Sequence, residues 1–236
     1  MKQRAFAASL LVLVALTGTV QARGHLQTRQ TRVELAPGVR AGRLVLANTG
    51  DSPVAAQVRV YRWTQNNGID VLEPDPGLVP SPQIVEITAG GEQLVRIVRA
   101  NAAPITAEQA YRIVVDELPG DPSEDASAAV AVRLRYLIPA FVRAPDAAPE
   151  SVHCAVRADQ LECSNRGGRA AQLGASEVVD AHGRTSELTN GLLGYVLAGS
   201  QRSFPFQPQN AAGIEPRQLK VLLNGLPTTL DLVAGP

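Results

Sequence analysis

Two cysteines and three histidines are the residues of this chain best suited to chemistry. Cys154 and Cys163 are not spaced C-x-x-C, and no nearby ligand set completes a zinc site around them. If residues 152–157 and 160–164 form a hairpin around Ala158-Asp159, the pairs run 157:160, 156:161, 155:162 and 154:163. A two-residue loop then puts the cysteines on a non-hydrogen-bonded site, where Cα atoms approach to about 4.5 Å, inside the disulfide range. The reading is a structural disulfide, worth about 2–3 kcal/mol on the chain-entropy model, with a redox pair or metal ligands as alternatives. His25 lies near the start of the chain, His153 precedes a cysteine, and His182 sits in Asp180-Ala181-His182-Gly183. Asp180 and His182 can be drawn as a catalytic pair or a metal fragment, but the same four residues make an ordinary turn. Asp116 and Glu117 are strand neighbours, so they point to opposite faces and form no carboxylate dyad. No G-x-S-x-G elbow, H-E-x-x-H helix, P-loop or dinucleotide fingerprint is present. The expectation is a protein without catalytic residues, metal or cofactor; a hydrolase using Asp180 and His182 stands as a rival.

Recognition is better served. Residues 128–142 read AAVAVRLRYLIPAFV, with Val130, Val132, Leu134, Tyr136, Ile138 and Val142 on one face and Arg133, Arg135, Leu137 and Phe141 on the other. Period-two alternation is a strand signal, and at about 3.3 Å per residue this strand would reach roughly 50 Å. Pro139 cannot donate to a ladder, which places the strand at an edge or at a bulge. Arginines suit such an edge because they deter foreign strands. An ordinary core strand is the alternative. An exposed edge can accept a partner's strand through main-chain bonds, with Val130, Val132 and Leu134 filling the partner's pockets. Arg112, in Tyr-Arg-Ile-Val-Val, and Arg32, on the first strand, could hold a partner's carboxylate, which guanidinium geometry suits. Solvated or locally paired arginines are the alternative for Arg112, Arg32, Arg133 and Arg135.

The elements that must position these residues are strands throughout. The chain has 236 residues, with 22 acidic and 22 basic side chains, so its charge argues for no nucleic-acid partner. Lys2 and Arg4, the apolar residues 5–16 and Val20-Gln21-Ala22 read as a cleaved signal peptide, 1–22, leaving Arg23 first. A retained signal anchor is the alternative, and the apolar stretch is short for it. No later segment is long enough to cross a bilayer, so an exported, soluble protein without membrane insertion is expected. Residues 31–35, 43–48, 54–63, 84–87, 93–99 and 111–118 alternate as strands between turns such as Asn66-Asn67-Gly68. Pro74, Pro76, Pro80 and Pro82 mark an irregular crossing. After the polar loop 121–127 comes the long strand. About seven strands with regular turn signals predict an immunoglobulin-type sandwich over 23–144. A Pro/Ala-rich linker, 145–150, leads to a second β-sandwich over 151–236. Its strands are expected at 152–157, 160–164, 171–179, 192–197, 203–206, 218–223 and 229–233. The fold class is all-β, two immunoglobulin-like sandwiches in tandem.

These residues resemble a family, the periplasmic chaperones of the bacterial chaperone–usher pathway of pilus assembly. Thr31-Arg32-Val33 resembles the family's first-strand segment. Glu108…Val115…Leu118-Pro119 resembles the signature ahead of its donor strand, and VAVRLRYLIPAFVRAP resembles the donor strand with its closing F-x-R-P. Gln109, Arg112 and Val114 stand where the familiar pattern prefers other residue types. The resemblance implies a chaperone that completes pilin subunits by donor-strand complementation and delivers them to an outer-membrane usher. Its donor side chains would be Val130, Val132, Leu134 and Tyr136. Arg32 matches the family's anchoring arginine, whereas the usual lysine position falls near Pro139. That departure resembles the archaic branch and moves the client's C-terminal anchor to Arg112 first, then Arg133 or Arg135, with Arg32 retained. Ser81-Pro82 resembles a cis proline of relatives, and self-association through the same strand is implied for the client-free protein. A secreted two-domain adhesion module, which would use end loops and covered edges, is the other reading.

Overall fold

The computed structural model describes residues 25–101, 103–120, 132–207 and 215–234. The signal-peptide expectation and Val130 lie outside them. The strands, in chain order, begin with β1 (Leu26–Thr28), β2 (Val33–Leu35), β3 (Ala41–Asn48), β4 (Val54–Asn66), β5 (Ile69–Pro74) and β6 (Leu78–Ser81). They continue with β7 (Ile84–Ile87), β8 (Glu92–Arg99), β9 (Gln109–Glu117) and β10 (Arg135–Val142). Two sheets result, β1-β3-β8-β6 and β2-β10-β9-β4-β5, with β7 also on β4. Their inner faces close one core. Val54, Ala56 and Val58 enter it from β4, Ile113 and Val115 from β9, and Leu44, Leu46, Val95 and Ile97 from the opposite sheet. That is the alternation of a half-buried strand, apolar in and polar out.

The second half runs β11 (Val152–Arg157), β12 (Gln160–Asn165), β13 (Ala171–Asp180), β14 (Thr185–Thr189), β15 (Gly194–Val196), β16 (Gln201–Pro205), β17 (Pro216–Leu223) and β18 (Leu226–Ala234). One continuous sheet, β14-β13-β17-β18-β11-β12-β16 with β15 on β13, folds over a second core that includes Leu161, Leu173, Val178, Phe204 and Leu219. The β11–β12 hairpin has the expected register, Cys154 opposite Cys163, with Cα atoms 4.1 Å apart and the disulfide formed. Ala158 turns the hairpin with a φ of 52°.

Besides the short strands β1 and β14, which were not expected, two stretches differ from expectation. The Pro-rich crossing is ordered into β5 and β6: at an edge, prolines cost no central ladder bond, and β5 and β6 are the outermost strands of their sheets. The long strand is a strand of the sheet only from Arg135 onward, with one further main-chain bond at Leu134. Its neighbour β9 ends at Glu117, followed by Leu118-Pro119-Gly120, so the ladder has no partner further out. The Ser81-Pro82 bond is cis.

Candidate client-binding edge and cleft

β10 lies between β9 and the short β2. Glu117 N donates to Leu134 O at 3.0 Å, and Leu134 N donates to Glu117 Oε2 at 3.2 Å. Pairing therefore carries one residue beyond the strand's formal start. It also sets the phase: even-numbered residues bond β9, and odd-numbered ones turn their peptide groups outward. Arg143 N, donating to Leu35 O at 2.9 Å, keeps that phase on the outer side. β2 covers only Ala140, Phe141 and Val142, and it runs parallel to them. Along Arg135, Leu137 and Pro139 no strand of the described residues occupies the outer side. Pro139 lacks its N–H on that side, so it takes nothing from the β9 ladder. The expected edge is thus open over half of β10 and closed by β2 over the rest.

The side chains of the row diverge along the strand. Val132 is 73% exposed and Leu134 half-buried. Tyr136 turns inward, packs on the first core, and donates its hydroxyl to Leu26 O at 2.6 Å. Ile138, Ala140 and Val142 lie fully in that core. The same face that fills the protein's own sandwich at one end emerges unfilled at the other.

On the outer face of the sheet, Arg112 stands opposite Tyr61 and Pro139. Its guanidinium lies 3.6 Å from the centroid of the Trp63 ring and 5.5 Å from that of Tyr195, which comes from β15 of the second sandwich. Among the described residues no carboxylate forms an ion pair with it. Burial pulls its pKa below the ordinary arginine value, against the fields of Asp70 and Tyr195. Burial likewise pushes the Tyr195 phenol up, while Arg32 and Arg112 pull it down. Val33 pairs with Ala140 and Arg112 with Pro139, so Arg32, just before Val33, lies near Arg112 at the same cleft. Arg32 also pairs with Glu34 at 2.9 Å.

Arg133 and Arg135 are elsewhere. Arg135 stands opposite Asp116, four residues from Pro139, or about 13 Å along the strand. Its guanidinium pairs with Asp116, which Arg59 also holds. Burial raises the Asp116 carboxyl, but those two hydrogen bonds outweigh it and hold the group below the usual carboxylate range. Arg133 lines the same groove and is partnered too.

The cleft is framed by contacts between the sandwiches. Trp63, Ala110 and Phe141 from the first pack on Ala170, Tyr195 and Leu197 from the second. Gln65 donates to Tyr195 O at 2.8 Å and accepts from Leu197 N at 2.9 Å. Glu108, its side chain buried, accepts from Ala170 N at 2.8 Å and pairs with Arg143, which also reaches Glu34 at 2.7 Å. Burial pushes the Glu108 carboxyl up against the pull of Arg143 and the Ala170 amide. Sequence reasoning missed Trp63, Gln65 and Tyr195 as cleft residues; a lone tryptophan at a strand end was the one available signal. Asp180 spends its carboxylate on the turn, accepting from His182 N at 2.8 Å and Arg184 N at 2.9 Å, and His182 is exposed. That is turn chemistry, as the alternative reading of Asp180-Ala181-His182-Gly183 has it.

Residues 25–148, more than half of the chain, match the family model described as pili and flagellar-assembly chaperone, PapD N-terminal domain. The chain belongs to this chaperone family. Pilus-assembly chaperoning, rather than a free-standing adhesion module, is therefore its function. No curated protein matches the chaperone's sequence. Among solved structures, a chain of the CsuC–CsuE chaperone–tip adhesion subunit pre-assembly complex, from archaic chaperone-usher Csu pili of Acinetobacter baumannii, is 22% identical. It superposes with a TM-score of 0.69, covering 91% of this chaperone and 100% of that chain. A chain of the Salmonella enterica SafA pilin–SafB chaperone complex is 15% identical with a TM-score of 0.65, covering 88% and 96%. The Pseudomonas aeruginosa CupB2 chaperone is 17% identical with a TM-score of 0.59, covering 89% and 100%. At these identities the likeness is one of fold, and it extends over both sandwiches.

Proposed function

We propose that this chaperone binds pilin subunits in the periplasm by lending them residues 130–139 as a missing strand, and passes them to an outer-membrane usher. The carrying observation is the outward phase of Arg135 and Leu137 on an edge with no strand of the described residues beside it, continuing into exposed Val132. Main-chain groups on that side give a client its register, and Val130, Val132 and Leu134 fill its groove. Tyr136, fastened to Leu26 O, ends the row. The client's C-terminal carboxylate meets Arg112 at the cleft, with Arg32 beside it. Arg133 and Arg135, about four residues along and already engaged, serve the far end of the client. Anchoring from β9 in place of a β10 lysine is the arrangement read above as archaic, and an archaic complex of chaperone and subunit is among the structures that share the fold.

On this reading residues 1–22 are removed on export, 23–144 form the client-binding domain, and 151–236 complete the cleft across the 145–150 linker. The protein binds without turnover, and client-free copies can pair through the same edge. The test is recovery from the periplasm. Wild type carries a stoichiometric pilin, and Leu134→Glu remains folded and exported yet loses it, because a buried leucine worth about 1.5–3 kcal/mol becomes a buried charge. Undiminished pilin recovery with Leu134→Glu would refute the binding face.

A further inference from the structure

We propose that the cavity at the open end of the first sandwich, remote from the Arg112 cleft, binds a carboxylate between Arg62 and Arg99. The cavity, about 500 Å³, lies between the β5–β6 connection and the chain leading into β9. Tyr111 and Arg112 are neighbours on β9 and face opposite sides of the sheet, so this site is on the other side from the client cleft.

Arg99 ends β8 and is only 9% exposed. One of its nitrogens, Nη2, donates to Ala103 O at 2.8 Å. Arg62 Nη1 donates to the Tyr111 hydroxyl at 3.1 Å, and its guanidinium lies 5.1 Å from that ring's centroid. Among the described residues neither arginine forms an ion pair, and neither has an unsatisfied nitrogen sealed from solvent. Both arginines line the cavity, so their remaining N–H groups are available to a guest there. Arginine stays charged at any ordinary pH, so two positive charges face an open cavity whose one lining carboxylate is that of Asp75.

The rest of the lining favours a small, singly charged guest. Tyr111 Oη donates to Gln109 Oε1 at 3.1 Å and can turn to donate to a bound oxygen. Gly77 keeps the floor open, since a Cβ there would lie 2.5 Å from Tyr111 Oη. Asp75 sits on the rim with Oδ1 committed to Gly77 N at 2.6 Å. Two guanidiniums against one carboxylate leave a net charge of one. A carboxylate balances that charge, while a phosphate dianion meets the repulsion of Asp75. The planar forks of Arg62 and Arg99 match a carboxylate's two oxygens. The guest is either a free carboxylate or a Glu or Asp side chain of a protein partner.

The experiment is an NMR titration of the full chaperone with sodium acetate replacing chloride at constant ionic strength. The expected result is saturable shifts at the amides of Gly77, Ala100 and Tyr111, about tenfold weaker for inorganic phosphate, and absent in Arg62→Gln. Arg62→Lys, which keeps the charge but loses the fork, binds about tenfold more weakly and covers the case of an unfolded Arg62→Gln. A second arm titrates the blocked peptide acetyl-Gly-Glu-Gly-amide. Tighter binding than acetate identifies a protein side chain as the guest, and equal binding identifies a free carboxylate. Shifts that chloride reproduces, or that persist in both Arg62 variants, overturn the proposal.

Discussion

Replacing Arg112 with alanine separates the cost of holding this arginine from the work it does. In the free chaperone its guanidinium stacks 3.6 Å from the Trp63 ring centroid and has no carboxylate partner among the described residues. Truncation removes a cation–π contact worth about 0.5–2 kcal/mol. It also removes a half-buried charge that burial disfavours. The two effects oppose, so urea midpoints of wild type and variant should differ by less than about 1 kcal/mol. On the proposed anchoring, the guanidinium would face a desolvated client carboxylate, and its loss should cost about 2–5 kcal/mol, a roughly 30- to 4,000-fold fall in affinity. The assay is competition for a fluorescent pilin, made once with a free C-terminus and once as the C-terminal amide. Arg112→Ala should weaken the acid form by that factor and leave the amide form nearly unchanged. Equal losses for the two forms, or none for either, would refute the anchor assignment even if the edge strand proves correct.

Other consequences can be measured without a client. Gly68 has a φ of 76°, and a Cβ on it would lie 2.4 Å from Ser203 Oγ, so Gly68→Ala should destabilise the protein by about 1–3 kcal/mol in urea titrations. A substitution without effect would show that the hairpin tip does not bear on the second sandwich. Asp116 has a folded-state pKa held below its unfolded value, so its contribution to stability is present above the unfolded pKa and lost as pH falls through the folded one. Asp116→Asn should flatten the decline in stability below about pH 4, and an unchanged acid limb would sink that assignment.

How much could be read beforehand followed from whether the information was local. The Cys154–Cys163 pairing depended only on hairpin register, and the register around Ala158-Asp159 is as expected. Alternation gave β3, β4, β7, β8 and β9 within a few residues because each has one buried face. β5 was obscured because edge strands tolerate the residues that usually signal turns, Pro74 among them. The cleft was harder. Arg112 stood out as a charge in an apolar strand, but nothing in the pattern could say that Trp63 and Tyr195 would form its bed. Those contacts join Arg112 to residues 49 and 83 positions away, one of them in the other sandwich. Arg133 and Arg135 shared a face with the expected anchor, and only the pairing register showed that their ion-paired end of β10 faces Asp116 rather than the cleft.

Gln65, Glu108 and the tip at Gly68 fasten one sandwich to the other at three separate points. Contacts spread over three points oppose a jaw-like opening of the two halves. On the proposed binding mode, a cargo seated between them would leave by peeling along the borrowed strand, starting at the exposed end near Val132. The hold at Arg112 would then be the last to let go. A scaffold stiff enough to fix one end of its passenger gives the handover a direction.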